Sequence, residues 1–448
     1  MAAIGDDRSR TKTSSAAERV MMKVILHTDR AFKTAVHRVV MRSSLHNAPV
    51  ENAVRTILKA IERGGDRAVI RYTKKFDRVT LKAAEFRIPP ESVKEAYYNI
   101  RKEEGDALRY AAQRIMTFHE KQRTKTWMYQ DGGATLGQVV TPLDSVGIYV
   151  PGGKAVYPSS VLMTAIPAKV AGVKRVVMCT PPSKNGISPY LLVAADIAGV
   201  DEIYRIGGVQ AIGAMAYGTK TLKRVHKILG PGNVYVATAK RLVYGLVGID
   251  MIAGPSEICI LADEDANAVH VAADLLCEAE HDEEAKVYLV TTSESLAKEV
   301  ARQIQEQLKR LKREKIIAKS IAKHATAFVV GDMNHAIELV NEIAPEHLGL
   351  SVDRPFDYLE KLRHVGALFL GRSTPPAVAD YVAGPNHVLP TGGSARFYSA
   401  LSFDDYVKKS NIISYSKEEL IKVKEHISRI AQMEGLDAHA KALESRFT

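Results

Sequence analysis

Apolar and polar positions follow two different periods along this chain. Over residues 47–118 the spacing is helical, as in APVENAVRTILKAIERGGDRAVIRYTKKF, with a break at Gly64-Gly65. From Asp144 onward short β-branched runs alternate with helical stretches. SVGIYV leads into PGG, VKRVVMCT into PPSKNG, DEIYRI into GG and RVHKILG into PGN; EICILAD, AKVYLVT, TAFVVGD and GALFLG follow. This alternation predicts an α/β protein with parallel sheets, and the number of units predicts two of them. From about Ser402 the pattern returns to helix, in SKEELIKVKEHISRIAQMEGLDAHAKALESR. No repeat of solenoid length is present.

The 448 residues exceed one typical domain; at about 150 residues each, two to four are expected. With 46% hydrophobic and 25% charged residues the composition is that of a soluble globular protein. The first residues, MAAIGDDRSRTKTSSAAERV, lack the apolar core of a secretory signal. The most apolar stretch, SSVLMTAIPAKVAGVKRVVMCT, is interrupted by Pro167, Lys169 and Lys174 and falls short of the ~20 apolar residues of a membrane span. A cytoplasmic protein without a membrane partner is expected. Cys179, Cys259 and Cys277 are too few for a disulfide framework. The first two sit in strand-like runs, as small core residues do, and nothing beside Cys277 favours a thiolate.

The net charge of +11 raises the question of nucleic acid. Its densest patch, KRLKREKIIAKSIAK over residues 309–323, continues an amphipathic helix and has no interleaved aromatics. It matches a solvated helix face, so no nucleic-acid partner is expected. The charge suits attraction of an anionic cofactor instead.

Glycine-rich turns follow several strand-like runs: Gly152-Gly153, Gly207-Gly208 and GPGN at 230–233. None is a GxGxxG followed about 20 residues later by an acid, so the usual dinucleotide fingerprint is absent. Singly such turns are structural; together they suggest one cleft for a nucleotide or phosphate.

Four stretches carry titratable groups in unusual settings. In LLCEAEHDEE, Glu278 and His281 stand i and i+3 on a helix predicted by Val269, Ala272, Ala273 and Leu276. Such a pair can reach one cation, although these residues alone read first as a solvated polar face. In EIAPEHLGL, Glu346 and His347 follow Pro345 and suit a general base and a water activator, or else a helix start with proline at its first position. Asp380 and His387 flank Gly384-Pro385 in a constrained loop, and Glu434 and His439 lie near the C-terminus. Combined, Glu278, His281, Asp380 and His439 make a donor set suited to zinc, but spacing alone does not bring them together.

In order along the chain, IYVPGG, GGVQAI with AYGT, GPGN, DMIAGPSE, AEHD, APEHL, DYVAGPNHVLPT and EGLDAHA closely resemble the histidinol dehydrogenase family, from about residue 48 to the end. The resemblance implies a zinc-dependent, NAD-linked, four-electron oxidation of L-histidinol through L-histidinaldehyde to L-histidine, closing histidine biosynthesis. It implies zinc on Glu278, His281, Asp380 and His439. It makes His347 the general base and Glu346 the activator of the hydrating water. Ser256, Glu434, His347 and the metal ligands would contact substrate, and Tyr149, Gln210 and Asn233 the NAD. The implied fold is two incomplete Rossmann-like domains with small helical terminal segments. Its expected boundaries are 1–46, 47–147 with 257–401, 148–256 and 402–448. The implied assembly is an intertwined homodimer in which His439 serves the partner's site.

One residue departs from that pattern. The family usually has glutamine at the first zinc position, in QAEH, where this chain has Glu278. The carboxylate adds a negative charge to the ligand set, so tighter metal binding and a weaker positive field on the substrate are expected. Three other readings make different predictions. A dehydrogenase of another polar alcohol on the same scaffold, such as a sulfonated diol, is disfavoured by the intact EGLDAHA. A zinc hydrolase using Glu346 and His347 would turn over without NAD. A basic RNA-binding protein with vestigial motifs would show salt-sensitive retention of nucleic acid and no turnover.

Overall fold

The computed structural model describes residues 21–42, 47–152 and 156–447. Contacts divide the chain into two compact units, one of Met1–Ser43, Pro255–Pro376 and Thr391–Phe397, the other of Ser44–Gly254, Ala377–Pro390 and Tyr398–Thr448.

The first unit is built on a six-stranded sheet in the order Lys23–Leu26, Thr326–Val329, Lys286–Thr291, Glu257–Ala262, His347–Ser351, Ala367–Leu370. Every pairing in it is parallel. Its strands are near-continuous apolar runs because both faces are covered. Ile258, Ile260, Val287 and Leu289 share one core with the helices Ala268–Ala279, Glu294–Leu308 and Glu314–His324. Cys259, Leu261, Tyr288 and Val290 share the other with Phe32–Val40 and Met333–Ile343. Alternate residues of a strand thus serve opposite layers.

The second unit has a five-stranded parallel sheet in the order Glu202–Arg205, Arg175–Thr180, Ser145–Tyr149, Lys227–Leu229, Gly248–Ile249. In each parallel sheet the strand order reverses beside a central strand, Ser145–Tyr149 in one and Glu257–Ala262 in the other. These switch points fall between Ser145–Tyr149 and Lys227–Leu229, and between Glu257–Ala262 and His347–Ser351. The two expected parallel sheets are therefore present.

Three features differ from the sequence expectation. Residues 47–147 were expected to share a domain with 257–401, but they pack in the second unit. Helix Ala48–Gly64, capped by Asn47, buries Val54, Leu58 and Ile61 in one core with Val177 and Ile212. Both terminal segments also contribute a strand besides their helices. Lys23–Leu26 extends the first sheet, and Val407–Tyr415 pairs antiparallel with Ala134–Pro142 in a third sheet completed by Trp127–Asp131. The run VKKSNIISY is mostly exposed, so it lacks the apolar alternation that marks a strand. The basic stretch 309–323 is not one helix: a turn separates Glu294–Leu308 from Glu314–His324, whose Ile317 and Ile321 are buried while Lys315, Lys319 and Lys323 are exposed.

Candidate functional site

In the first unit the titratable groups gather at the amino ends of two adjacent central strands. Helix Met333–Ile343 ends at Ala344 in a left-handed conformation, φ 48°, and Pro345 prevents its continuation. Glu346 and His347 consequently open the strand His347–Ser351 and do not start a helix. Beside it, residue 257 opens the central strand, with register partner Ile258 opposite His347.

The main chain of Glu257 holds both members of the pair. Its N–H donates to Glu346 Oε2 at 2.9 Å, and its carbonyl oxygen lies 3.2 Å from His347 Nδ1. His347 Nδ1 is also 3.3 Å from Glu278 Oε2 and 4.0 Å from Glu346 Oε2. The Glu257 carbonyl can only accept, which assigns the ring proton of the neutral imidazole to Nδ1 and makes Nε2 its basic nitrogen.

Glu278 lies on the buried face of helix Ala268–Ala279, in its last turn. Burial disfavours a carboxylate, and so does the partial negative charge of a helix C-terminus. A cation held by Glu278 and its neighbours would offset that charge. Glu278, Glu346 and His347 are 4%, 5% and 6% exposed, and each offers a ligand atom within 4.8 Å of the others. Two carboxylates and an imidazole are a donor set that suits a divalent cation such as zinc.

His281 is not on the helix with Glu278, as its spacing predicted. The helix stops at Ala279, and the His281 N–H donates to the Glu278 carbonyl at 3.2 Å from a half-buried bend. It is not among the three clustered groups. Ser256 immediately precedes the central strand, its carbonyl accepting from Lys286 N at 3.0 Å. The remaining expected ligands and substrate contacts belong to the second unit. Asp380 lies in the short helix Ala377–Tyr381, its carbonyl 3.1 Å and its Oδ1 4.0 Å from His387 Nδ1. His387 Nε2 is 3.4 Å from Ser160 Oγ. Glu434 caps the exposed end of helix Lys417–Met433, and His439 is exposed on Asp437–Glu444.

The three residues expected to meet NAD lie at the carboxyl edge of the second unit's sheet, where such ligands bind. Tyr149 ends the central strand. Its hydroxyl oxygen accepts from Gly208 N at 3.0 Å, at the start of helix Gly208–Tyr217, and burial pushes its phenol pKa up. Gln210, on that helix, is 1% exposed and donates from Nε2 to Asp77 Oδ2 at 3.0 Å. Burial pushes the Asp77 carboxyl up to about 6. Asn233 is exposed and caps helix Val234–Val243, accepting from Tyr235 N and Val236 N at 3.1 and 3.2 Å.

The GPGN loop is pinned against Tyr149. Gly230 has φ 108°, and a Cβ there would stand 2.3 Å from the Tyr149 carbonyl oxygen. Its N–H donates to Asp250 Oδ2 at 2.8 Å and its carbonyl accepts from Lys240 Nζ at 2.9 Å. Lys240 and Asp250 are themselves ion-paired and buried.

Sequence reasoning missed Asp77, Lys240, Asp250 and Glu257. The available signal was a charge inside or beside an apolar run, as in EICILA. The cysteines behave as expected for core residues: Cys179 and Cys259 are buried, and burial pushes both thiols up.

Comparison with known proteins agrees with these motifs. A family model described as histidinol dehydrogenase matches residues 40–447. Histidinol dehydrogenase of Bacillus cereus is 50% identical over 420 residues, 93% of this chain and 97% of its own. That of Wolinella succinogenes is 49% identical over 417 residues, 93% and 96% of the two chains. The crystal structure of histidinol dehydrogenase from Elizabethkingia anophelis superimposes with a TM-score of 0.90 at 35% identity, covering 95% of this chain and 98% of that one.

Proposed function

The chain belongs to the histidinol dehydrogenase family and is an oxidoreductase, and we propose that it oxidises L-histidinol to L-histidine through L-histidinaldehyde with two NAD and one zinc site. Conversion of a primary alcohol to a carboxylate removes four electrons, hence two hydrides. When bound, zinc would anchor the substrate's nitrogens and NAD would accept each hydride.

The observation that carries this reading is the orientation of His347 by the Glu257 carbonyl. With Nδ1 engaged as a donor, Nε2 takes the hydroxyl proton as hydride leaves the carbinol carbon. Glu346, its carboxylate oriented by the Glu257 N–H, removes a proton from the water that hydrates the aldehyde, while Nε2 returns its proton to the aldehyde oxygen and is neutral again. His347 then takes the hydrate's proton in the second oxidation. Glu278 and His281, with Asp380 and His439, would hold the zinc. The buried Glu278 carboxylate, at a helix end that disfavours negative charge, supports a cation beside it, and the glycine loop beside Tyr149 supports NAD with Gln210 and Asn233. Ser256 and Glu434 would contact substrate.

The same reading includes an intertwined homodimer. Ile413 on the last strand and Ile430 and Met433 on the following helix are 73%, 56% and 84% exposed, and so many large apolar side chains left open in one terminal segment support a partner. Buried, unbridged Cys179 and Cys259 support a reducing cytoplasm, and no helix among the described residues is long and apolar enough to cross a membrane.

The deciding experiment follows NADH and histidine together from histidinol. Two NADH per histidine, abolished by a chelator and restored by zinc, is the expected result. A folded, zinc-containing protein that yields no NADH from histidinol would overturn the substrate assignment in favour of another alcohol.

A further inference from the structure

We infer that Arg42, in the N-terminal segment, is a positioning residue for Glu346 and His347 and acts through Glu257; the inference rests on the reading that this pair carries the proton chemistry. The Arg42 and Glu257 side chains, 4% and 0% exposed, form an ion pair. Arg42 Nε donates to Glu257 Oε2 at 2.6 Å and Nη2 donates to Oε1, which also accepts from Gly392 N at 3.0 Å. The other side of the same guanidinium reaches the turn that leads into the pair. Nη1 donates to the carbonyls of Ile343, at 2.8 Å, and Val39, at 2.9 Å, and Nη2 approaches that of Ala344 at 3.4 Å.

One rigid fork therefore fastens the head of strand Glu257–Ala262 to residues 343–344. Glu346 and His347 sit between these two fixed points, with the Glu257 N–H on one and the Glu257 carbonyl on the other. Ala344, held at this junction, adopts a backbone conformation that alanine disfavours, and such strain persists only where its surroundings enforce it. A buried ion pair is weak evidence of stabilisation, since an apolar pair of similar volume often does as well. Its geometry here points to alignment. Lysine would keep the charge but lose the planar fork that serves both ends at once.

The test compares Arg42→Lys with the parent for kcat and KM toward histidinol and NAD, at equal zinc content. Misplacement of a reacting group by ~1 Å costs about a hundredfold in rate, so kcat should fall about ten- to a hundredfold while both KM values stay within about threefold. Arg42→Ala should recover about tenfold of its lost kcat with millimolar ethylguanidinium and none with ethylammonium. If Arg42→Ala does not fold, Arg42→Lys decides alone. A folded Arg42→Lys with kcat within about twofold of the parent, or with its loss wholly in KM, overturns the inference. His347→Asn measured alongside separates the two readings. Parental turnover in His347→Asn overturns the role of the pair itself; an inactive His347→Asn beside a fully active Arg42→Lys overturns only the role of Arg42.

Discussion

His347 Nδ1 and Glu278 Oε2 meet at 3.3 Å, and both side chains are buried. The carboxylate of Glu278 therefore faces the ring that the proposed chemistry uses, from the end of a helix that disfavours negative charge. If Glu278 ligates zinc, Glu278→Ala should lower zinc affinity at least about a hundredfold, because outer-shell partners of metal ligands already cost ten- to a hundredfold. Competition with a chromophoric chelator measures this, and full zinc retention in Glu278→Ala would refute the ligand role.

The two members of the pair should separate the two oxidation steps. Loss of a positioned base costs about 10²–10⁴ in rate, so His347→Asn should depress both NADH phases by that factor. Glu346→Gln should slow the second phase by about 10² while leaving the first within about fivefold. Rapid-mixing absorbance of NADH after adding histidinol distinguishes them. Equal losses in both phases of Glu346→Gln would reject its assignment to the hydration step.

Asp77 gives a pH-dependent stability effect. Its carboxyl is pushed by burial from an ordinary 3.8 up to about 6, against the lowering effect of the Gln210 hydrogen bond. The folded state thus holds this proton more tightly than the unfolded chain. The ionisation penalty is absent below pH 3.8, grows across the interval, and is complete above about 6. Asp77→Asn removes the charge and keeps an oxygen for Gln210. It should stabilise by about 1–2 kcal/mol near pH 8, allowing for the group's partial exposure, and by almost nothing near pH 4. Thermal unfolding at the two pH values checks this; a gain independent of pH would contradict it.

Gly230→Ala should damage the cofactor edge. The position has φ 108°, and the added methyl would strike the Tyr149 carbonyl. Strain of this kind costs at least about 1–3 kcal/mol, and relief requires the loop to move. The expected outcome is a lower midpoint of urea unfolding and a KM for NAD raised about tenfold, with KM for histidinol little changed. An unaltered KM for NAD would dissociate this loop from the cofactor.

The extent to which these features were legible depends on the range of the interaction that creates them. Near-continuous apolar runs such as EICILA and KVYLVT announced doubly covered parallel strands, because that pattern follows from local geometry and burial alone. Ordered motifs such as APEHL and GPGN marked the residues now found at strand ends. Tertiary structure decided the remainder. Helix Ala48–Gly64 carries an apolar stripe whose partner no local period names; it packs so closely on Gly213 that a Cβ there would lie 2.9 Å from Ile61. His281 left the helix because the turn after Ala279 ended the periodicity its spacing assumed. The link between Arg42 and Glu257 spans 215 positions and exists only because two chain segments fold against the same strand head. The sequence by itself determined which elements form and which side chains have chemistry to offer, since both depend on near neighbours. Which of those side chains face one another is set by packing between distant segments, and no local period encodes it.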